Sequence, residues 1–463
     1  MLILFVILYL CGTLAIGYWA GKKVHNVSDF ALAGRHLPLF LAASATFATW
    51  FGTETVMGAS SEFVQNGVIG VIEDPFGAAL CLLLVGLLVA KPLYKLNLIT
   101  FSDYFRLRFG RKAEFIGALC MVPSYFGWIA AQFLALGILM HKLIPALPIE
   151  AGLWIGAVLV IGYTYVGGMW AISITDFVQT IFIIVGLLLV AVFMAQEISP
   201  AKVIAAQPEG FFDFLPKPGW MNWVHYLAAW MTIGLGSVPQ QDVFQRVMAA
   251  KSEKTAIHST FVAAGMYLTV AMLPLFIALS AKTLYPELLK GDVQDIIPNM
   301  VLQHSPLSIQ ALFFGALISA ILSTASGAVL APATVVGENL IKPRCLKLTD
   351  AALLRILRLS VVGVALISAA MASYRGNIYD LVSESSALSL VSLFVPLVGG
   401  LYWSKATEVG CVASMVVGMI GWLLALWMET EFPPMLIGFA ASIMAMMVGS
   451  FWGLPKPVRA LSS

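Results

Sequence analysis

The stretch Phe51-Gly52-Thr53-Glu54-Thr55 lies in the middle of an otherwise apolar segment, residues 39–65. The segment is long enough to cross a bilayer, yet a glycine, two threonines and an acid stand at its centre. Irregular backbone at membrane depth is tolerated only where protein or a watery cavity satisfies its polar groups. The stretch therefore predicts a membrane helix that is broken at its centre.

A second apolar segment, residues 222–245, is interrupted by Gly234-Leu235-Gly236-Ser237-Val238-Pro239-Gln240-Gln241-Asp242. Each broken segment opens a block of five apolar segments, and the two blocks cover residues 39–195 and 222–403. Paired broken helices at corresponding positions of two halves are typical of inverted-repeat transporters with a site near the bilayer midplane. The alternative is two independent kinks at proline or glycine.

Composition places the whole chain in the membrane. Of its 463 residues, 60% are hydrophobic and only 11% are charged, against roughly 25% charged in soluble domains. We predict an all-α integral membrane protein with one domain, residues 1–463, and no soluble domain. Its net charge of +2 and its lack of a basic tract argue against binding to nucleic acid. The predicted spans lie at about 2–20, 39–65, 69–90, 113–140, 151–168, 171–195, 222–245, 258–281, 306–338, 354–374, 379–403, 408–428 and 433–453.

The basic residues predict the orientation of these spans. With the N-terminus outside, most of the 26 lysines and arginines fall in inner segments, as expected for cytoplasmic loops, and none falls deep in a span. The first span, at 2–20, lacks a basic segment before it, so we expect it to be retained rather than cleaved. The prediction is a multi-pass protein of the cell (inner) membrane with a cytoplasmic C-terminus. The spans at 2–20 and 408–453 lie outside the two blocks.

Six acids fall in or at the edges of the apolar spans without a lysine or arginine at depth. Such carboxylates are costly unless they face a cavity, bind a cation or take up a proton. Asp176 therefore has a cation or proton function or, alternatively, caps the start of a helix. Glu54 lies where a solute or ion would bind or, alternatively, is a protonated acid bonded to loosened backbone. The six are Glu54, Glu62, Glu73, Asp74, Asp176 and Asp242.

The segment Ala320-Ile321-Leu322-Ser323-Thr324 places two hydroxyls in the middle of a span. Helical spacing brings Ala320, Ser323 and Thr324 to one face. A backbone carbonyl beside two hydroxyls is a plausible ligand set for a small hard cation. The alternative is that the hydroxyls help helices to pack.

The sequence contains no arrangement typical of an enzyme, such as His-x-x-x-His, Cys-x-x-Cys or Gly-x-Ser-x-Gly. Its five cysteines are scattered, with no spacing that suggests a metal site or a disulfide framework. Four tryptophans could stack on a ligand or line a cation cage or, alternatively, be interfacial or packing residues: Trp50, Trp128, Trp223 and Trp230. We therefore predict a protein that is not an enzyme.

Several motifs, taken together and in order, resemble the sodium:solute symporter family over about residues 20–405. The resemblance implies a LeuT-like core of five plus five inverted-repeat helices, thirteen spans in many members, and Na⁺ as the coupling ion. The motifs are Gly34-Arg35, Tyr163-Thr164-Tyr165-Val166-Gly167-Gly168, Thr175-Asp176-Phe177-Val178-Gln179, Gln241-Asp242-Val243-Phe244-Gln245-Arg246, Ala249-Ala250-Lys251-Ser252 and Ala320 to Thr324.

The resemblance also implies a main ion site. In the family's main sodium site, the backbone oxygens of Ala48 and Phe51 would face the carbonyl of Ala320 and the hydroxyls of Ser323 and Thr324. Neutral oxygens suit a hard cation of modest charge.

A second sodium site occurs in some members and would use Asp176, Ser323 and Ser326. One further hydroxyl of that site corresponds to Gly327 here, which argues against a second ion. Without that ion, Asp176 would serve folding or gating.

The predicted solute site is similar to that of the choline transporters around Trp50, Phe76 and Trp128. Two aromatic positions of their quaternary-ammonium cage match Ala78 and Gln240 here, which disfavours choline itself. Acids without a deep arginine favour an amino-bearing cation or zwitterion, such as an amino acid, over an anion. The predicted solute-binding residues are Trp50, Thr53, Glu54, Met57, Asp74, Trp128, Gln240, Gln241 and Asp242.

These observations favour a Na⁺-coupled symporter that imports a small organic solute. Its partners would be the solute, Na⁺ and the lipid bilayer, and we expect it to function as a monomer. One alternative is the membrane input module of a nutrient sensor, which the end of the chain at Ser463 disfavours. Another is a proton-coupled carrier of the same fold that uses Asp176 or Glu54.

Overall fold

The computed structural model describes residues 2–345, 348–374 and 377–452, and within these ranges it contains helices and no β-strand. Four basic residues used to predict the orientation lie outside the described residues: Lys347, Arg375, Lys456 and Arg459. Ten helices are long and apolar enough to cross a membrane. They are Ile3–Gly21, Glu54–Lys95, Arg111–Leu143, Ile149–Glu197, Glu253–Leu284, Leu307–Arg344, Asp350–Ala372, Ile378–Tyr402, Glu408–Trp427 and Pro434–Trp452.

Two of these helices each form two spans. Glu54–Lys95 has 42 residues and Ile149–Glu197 has 49, far more than the roughly 20 that one crossing needs. The first turns sharply at Gly67 (φ 68°, ψ −155°) and the second at Gly168 (φ 47°, ψ −145°), conformations that glycine adopts most readily. With a further segment that contains Trp220–Gly236 and Gln241–Ala249, the described residues hold thirteen spanning segments. The predicted all-α membrane fold is confirmed.

Both predicted helix breaks are present. Leu39–Ala48 ends before the break, and helix resumes at Glu54–Ala59 and Ser60–Asn66. Between them, the Gly52 amide donates to the Trp50 carbonyl at 2.8 Å instead of to the carbonyl four residues back. These pieces form the first broken helix. In the second broken helix, Trp220–Gly236 and Gln241–Ala249 are separated by four non-helical residues that include Pro239.

Both broken helices contact a central helix, Leu307–Val335, in which every residue from 313 to 335 is buried. This helix packs extensively against Ile149–Glu197, which also contacts Leu39–Ala48. By contrast, Glu408–Trp427 and Pro434–Trp452 pack mainly on each other and leave many apolar side chains exposed. The predicted ion ligands Ser323 and Thr324 therefore lie in the buried centre of the protein.

The expectation that no basic residue lies deep in the protein is wrong. Arg246 lies on Gln241–Ala249, and its side chain is only 1% exposed. The second helix break turns this short helix inward, so all nine of its residues are buried. Backbone carbonyls satisfy the guanidinium: Nε donates to Ala45 at 3.0 Å and Nη1 donates to Asp242 at 3.1 Å. A basic residue at depth is tolerated because these acceptors replace water.

Candidate functional site

The first helix break meets the central helix at Thr324. Its Oγ1 donates to the Ala48 carbonyl at 3.0 Å. This approach depends on Gly52, because a Cβ there would lie 2.8 Å from Thr324 Oγ1 and 3.2 Å from Gln132 Oε1. Ala48, Phe51, Ala320, Ser323 and Thr324 are each at most 2% exposed. The predicted ligand oxygens are thus neutral and buried, a setting that suits a hard cation of modest charge.

A carboxylate lies directly beside this hydroxyl pair. Ser323 Oγ donates to Asp176 Oδ1, and Ser326 Oγ donates to the Ser323 carbonyl at 2.8 Å. The other carboxylate oxygen, Asp176 Oδ2, is buried and has no hydrogen-bond partner. The structure therefore brings together Asp176, Ser323 and Ser326, the three residues predicted for a second cation.

The helix-cap alternative for Asp176 is wrong. The nearest helix start follows the break at Gly168, and Asp176 lies eight residues further along. Favourable interaction of an acid with a helix N-terminus is confined to the first turn.

A narrow cavity lies between the two broken helices. Eleven residues line it: Trp50, Glu54, Asp74, Ala78, Trp128, Ile233, Ser237, Gln240, Val382, Ser385 and Ser386. Five of the predicted solute-binding residues are among them, as are Ala78 and Gln240, the positions that match aromatic residues of the choline cage. In the described part of the chain, this lining includes two carboxylates and no lysine, arginine or histidine.

The two cavity carboxylates differ in how completely they are bonded. Glu54 accepts from Trp128 Nε1 at 3.2 Å and from Gln132 Nε2 at 2.9 Å, so both of its oxygens are engaged. Asp74 accepts from Thr55 Oγ1 at 2.6 Å through Oδ2 only. Its Oδ1 is buried without a partner, and the residue is 2% exposed. A buried acceptor of this kind is costly unless a ligand or a proton satisfies it.

Asp242 lies outside the cavity lining and hydrogen-bonds to a tryptophan that belongs to it. Its Oδ2 accepts from Trp50 Nε1 at 3.2 Å, and its Oδ1 accepts from the Tyr125 hydroxyl at 2.5 Å. Tyr125 Oη in turn accepts from the Asp242 amide at 3.0 Å. Asp242 therefore orients a tryptophan that lines the cavity and is not itself part of the lining.

The other three predicted solute-binding residues are buried away from the cavity lining. Thr53 Oγ1 donates to Gln132 Oε1 at 2.8 Å. Met57 is fully buried. Gln241 accepts from the Phe101 amide at 2.6 Å and donates to the Ile99 carbonyl at 3.2 Å, so it holds a neighbouring loop in place.

Sequence reasoning missed the contribution of the helix Ile378–Ser389, which supplies Val382, Ser385 and Ser386 to the cavity. Ser385 Oγ accepts from the Trp128 amide at 3.0 Å, and Ser386 Oγ lies 3.2 Å from Ser237 Oγ. The signal was the polar run Ser383-Glu384-Ser385-Ser386 within a predicted span. It is the same kind of signal as the hydroxyl pair at Ser323 and Thr324.

Comparison with known proteins agrees with this geometry. Residues 30–418 match the family model described as "Sodium:solute symporter family". The chain is 27% identical to the high-affinity choline transporter 1 of Drosophila melanogaster, over 89% of this chain and 69% of that protein. It is 28% identical to the high-affinity proline transporter PutP of Bacillus subtilis, over 93% and 94%. A Na⁺-coupled sialic acid symporter in a substrate-bound outward-open state superimposes with a TM-score of 0.84 at 18% identity, over 98% of both chains.

Proposed function

Because the chain belongs to the sodium:solute symporter family, we propose that it couples inward movement of Na⁺ to import of a small amino-bearing solute. The protein is a membrane transporter with a LeuT-type fold and is not an enzyme. The observation that carries the proposed solute class is Asp74 Oδ1, a buried acceptor without a partner in a residue that lines the cavity.

The charge of the cavity supports a positively charged nitrogen on the solute. Glu54 and Asp74 contribute carboxylates to it, whereas Arg246 is absent from its described lining. An anionic solute would lie beside two carboxyl groups with no basic side chain in the described lining to compensate it, whereas a positively charged nitrogen would favour the ionised form of these acids. Choline and proline, the solutes named for the relatives, both carry a positively charged nitrogen.

The free oxygen of Asp74 favours an N–H group over a quaternary ammonium. Choline has no N–H to donate, whereas amines and amino acids do. Ala78 and Gln240 also fail to provide the aromatic faces that bind quaternary nitrogen by cation–π attraction. A primary or secondary amine or an amino acid is therefore the solute class that we propose, and Trp50, Glu54, Asp74, Trp128 and Gln240 would bind it.

The proposed Na⁺ site links the first broken helix to the central helix. Its ligands would be the carbonyls of Ala48, Phe51 and Ala320 and the hydroxyls of Ser323 and Thr324. An ion there would hold the helix break against the central helix, and this would keep Trp50 and Glu54 in place for the solute. Inward opening would separate the two helices and release both ligands. We further propose a monomer in the cell membrane, with the N-terminus outside and the C-terminus in the cytoplasm.

A proton-coupled carrier is the second candidate, because Asp176 Oδ2 is a buried oxygen without a partner. The two candidates differ in which gradient drives uptake. In proteoliposomes, a Na⁺ gradient at equal pH should support accumulation of the solute, and a pH gradient without Na⁺ should not. Uptake driven by the pH gradient alone would favour the second candidate.

A thermal-stability screen of the purified protein identifies the solute. Amines, amino acids, sugars and carboxylic acids are added with NaCl or with KCl in its place. A ligand that binds the folded state raises the melting temperature, and an amino-bearing solute should do so only when Na⁺ is present. Stabilisation by sugars or carboxylic acids alone would contradict the proposed solute class.

A further inference from the structure

Arg246 lies beside the residues predicted for a second cation. Its Nε and Nη1 donate to the carbonyls of Ala45 and Asp242. Its third nitrogen, Nη2, is directed at Gly327 on the central helix, so closely that a Cβ at Gly327 would clash with it. The guanidinium thus occupies the space that a side chain at position 327 would need.

Gly327 is explained by this contact. It lies within Leu307–Val335, where glycine weakens a helix and where packing alone would favour alanine. In this structure only a residue without a side chain leaves room for Arg246. The glycine that removes a hydroxyl from position 327 is therefore the same feature that lets the guanidinium approach the central helix.

The charge of Arg246 offsets that of the neighbouring acids. Its positive charge is within electrostatic reach of Asp176 and Asp242, which are both completely buried. No ion pair shorter than 4.0 Å joins it to either acid in the described part of the chain. A buried carboxylate that stays ionised needs a compensating cation, and two cations this close repel each other in a medium of low dielectric constant.

We propose that the Arg246 guanidinium takes the place of a second sodium ion, so that the carrier binds one Na⁺. Gly327 admits the guanidinium, and Asp176 is the carboxylate that it compensates. Unlike a bound ion, this charge is covalently attached and cannot be released to the cytoplasm, so it adds nothing to the driving force for uptake. The inference rests on the proposed function, because it assumes the main sodium site at Ala48, Ser323 and Thr324.

The test is to count Na⁺ bound by the purified full-length protein. Equilibrium binding of ²²Na⁺ should saturate at one ion per protein with a Hill coefficient of 1. Arg246→Ala combined with Gly327→Ser removes the fixed charge and supplies a hydroxyl, and it should saturate at two ions per protein. Arg246→Lys is the matched control, because it keeps the positive charge and should remain at one.

Each outcome decides between defined alternatives. Two ions bound to the unaltered protein would overturn this inference and leave the proposed function intact. No Na⁺ bound would contradict the proposed function and this inference with it. One ion bound to the folded double variant would also overturn the inference, because the guanidinium would then not be what excludes the second ion. If the double variant does not fold, Arg246→Gln is counted instead, because it removes the charge and keeps a side chain that can donate to Ala45: two ions bound to it would support the inference, and one would overturn it.

Discussion

Thr324 connects two parts of the chain that are 276 residues apart, the first helix break and the central helix. If its hydroxyl and that of Ser323 bind Na⁺, replacing either by alanine removes one ligand from a buried ion. Loss of one such contact costs about 1.5 kcal/mol, or roughly a tenfold weaker affinity. We expect Ser323→Ala and Thr324→Ala to raise the Na⁺ concentration for half-maximal uptake by about that factor.

Ser319→Ala is the control for these variants. Ser319 is buried on the same helix, but its hydroxyl accepts from Tyr9 at 2.8 Å, away from the helix break. Uptake by Ser319→Ala should depend on Na⁺ concentration as it does in the unaltered protein. If Ser323→Ala and Thr324→Ala also kept the Na⁺ dependence of the unaltered protein, the sodium site would have to lie elsewhere.

Asp74 is the residue at which the solute class can be tested. Asp74→Asn keeps the size of the side chain and an acceptor for Thr55, but it removes the negative charge at the free oxygen. A charge-assisted hydrogen bond contributes about 1.5–3 kcal/mol, so the KM for an amino-bearing solute should rise about 10- to 100-fold. Radiolabelled uptake measures this change, and the Na⁺ affinity should stay the same.

Glu62→Gln is the matched control for Asp74→Asn. Glu62 is an acid of the neighbouring first broken helix, but its Oε2 accepts from Asn66 near the exposed end, and it is absent from the cavity lining. Its KM should not change. An unchanged KM in Asp74→Asn would exclude Asp74 from direct contact with the solute.

At the scale of the helices, the breaks were predictable and their consequences were not. Gly52, Pro239 and the polar residues near them are visible as exceptions within apolar segments. The prediction from sequence, however, treats residues 222–245 as one straight span, and Arg246 then falls just past the end of that span. Because the second break redirects the following helix into the protein, Arg246 becomes buried. The direction of a helix after a break depends on tertiary packing, which the local pattern does not contain.

The same limit explains the mixed outcome for the solute-binding residues. Glu54 and Asp74 stand out as acids in apolar surroundings, and both line the cavity. Gln241 has an equally polar side chain next to the second break, yet it faces a loop. Ser385 and Ser386 are contributed by a helix more than 300 residues from the first break in sequence. Polarity indicates which residues need partners, and only the packing of helices determines which partners they find.

Gly52 provides a test of the contact between helices. Gly52→Ala places a Cβ 2.8 Å from Thr324 Oγ1, so the first broken helix and the central helix must move apart. We expect a lower melting temperature and a higher Na⁺ concentration for half-maximal uptake. Gly265→Ala, in the helix Glu253–Val270, is the control. Its new methyl group meets nothing within 4 Å, and alanine should stabilise the protein by about 0.4–1 kcal/mol. Equal effects of the two substitutions would mean that the contact at Gly52 has no special function.

At the scale of the whole molecule, the distribution of apolar segments along the chain was sufficient to predict the number of spans, because each crossing requires its own apolar segment. It could not predict that the first broken helix meets the central helix at Thr324, since that contact joins distant parts of the chain. That arrangement has an energetic consequence. If one Na⁺ is held at this contact, as we propose, the movement of the two helices is tied to the movement of one charge across the membrane.

The charge moved per cycle is therefore the property that tests the whole mechanism. Moving one charge across 100 mV is worth about 2.3 kcal/mol, so each roughly 60 mV should change the accumulation of a zwitterionic solute tenfold. Proteoliposomes with a potential set by potassium and valinomycin measure this dependence.

At zero potential, a tenfold Na⁺ gradient should give tenfold accumulation if one ion is coupled and hundredfold if two are. A cationic solute would double the dependence on potential without changing the dependence on the Na⁺ gradient. Hundredfold accumulation from the Na⁺ gradient alone would contradict a carrier in which Arg246 provides the second positive charge.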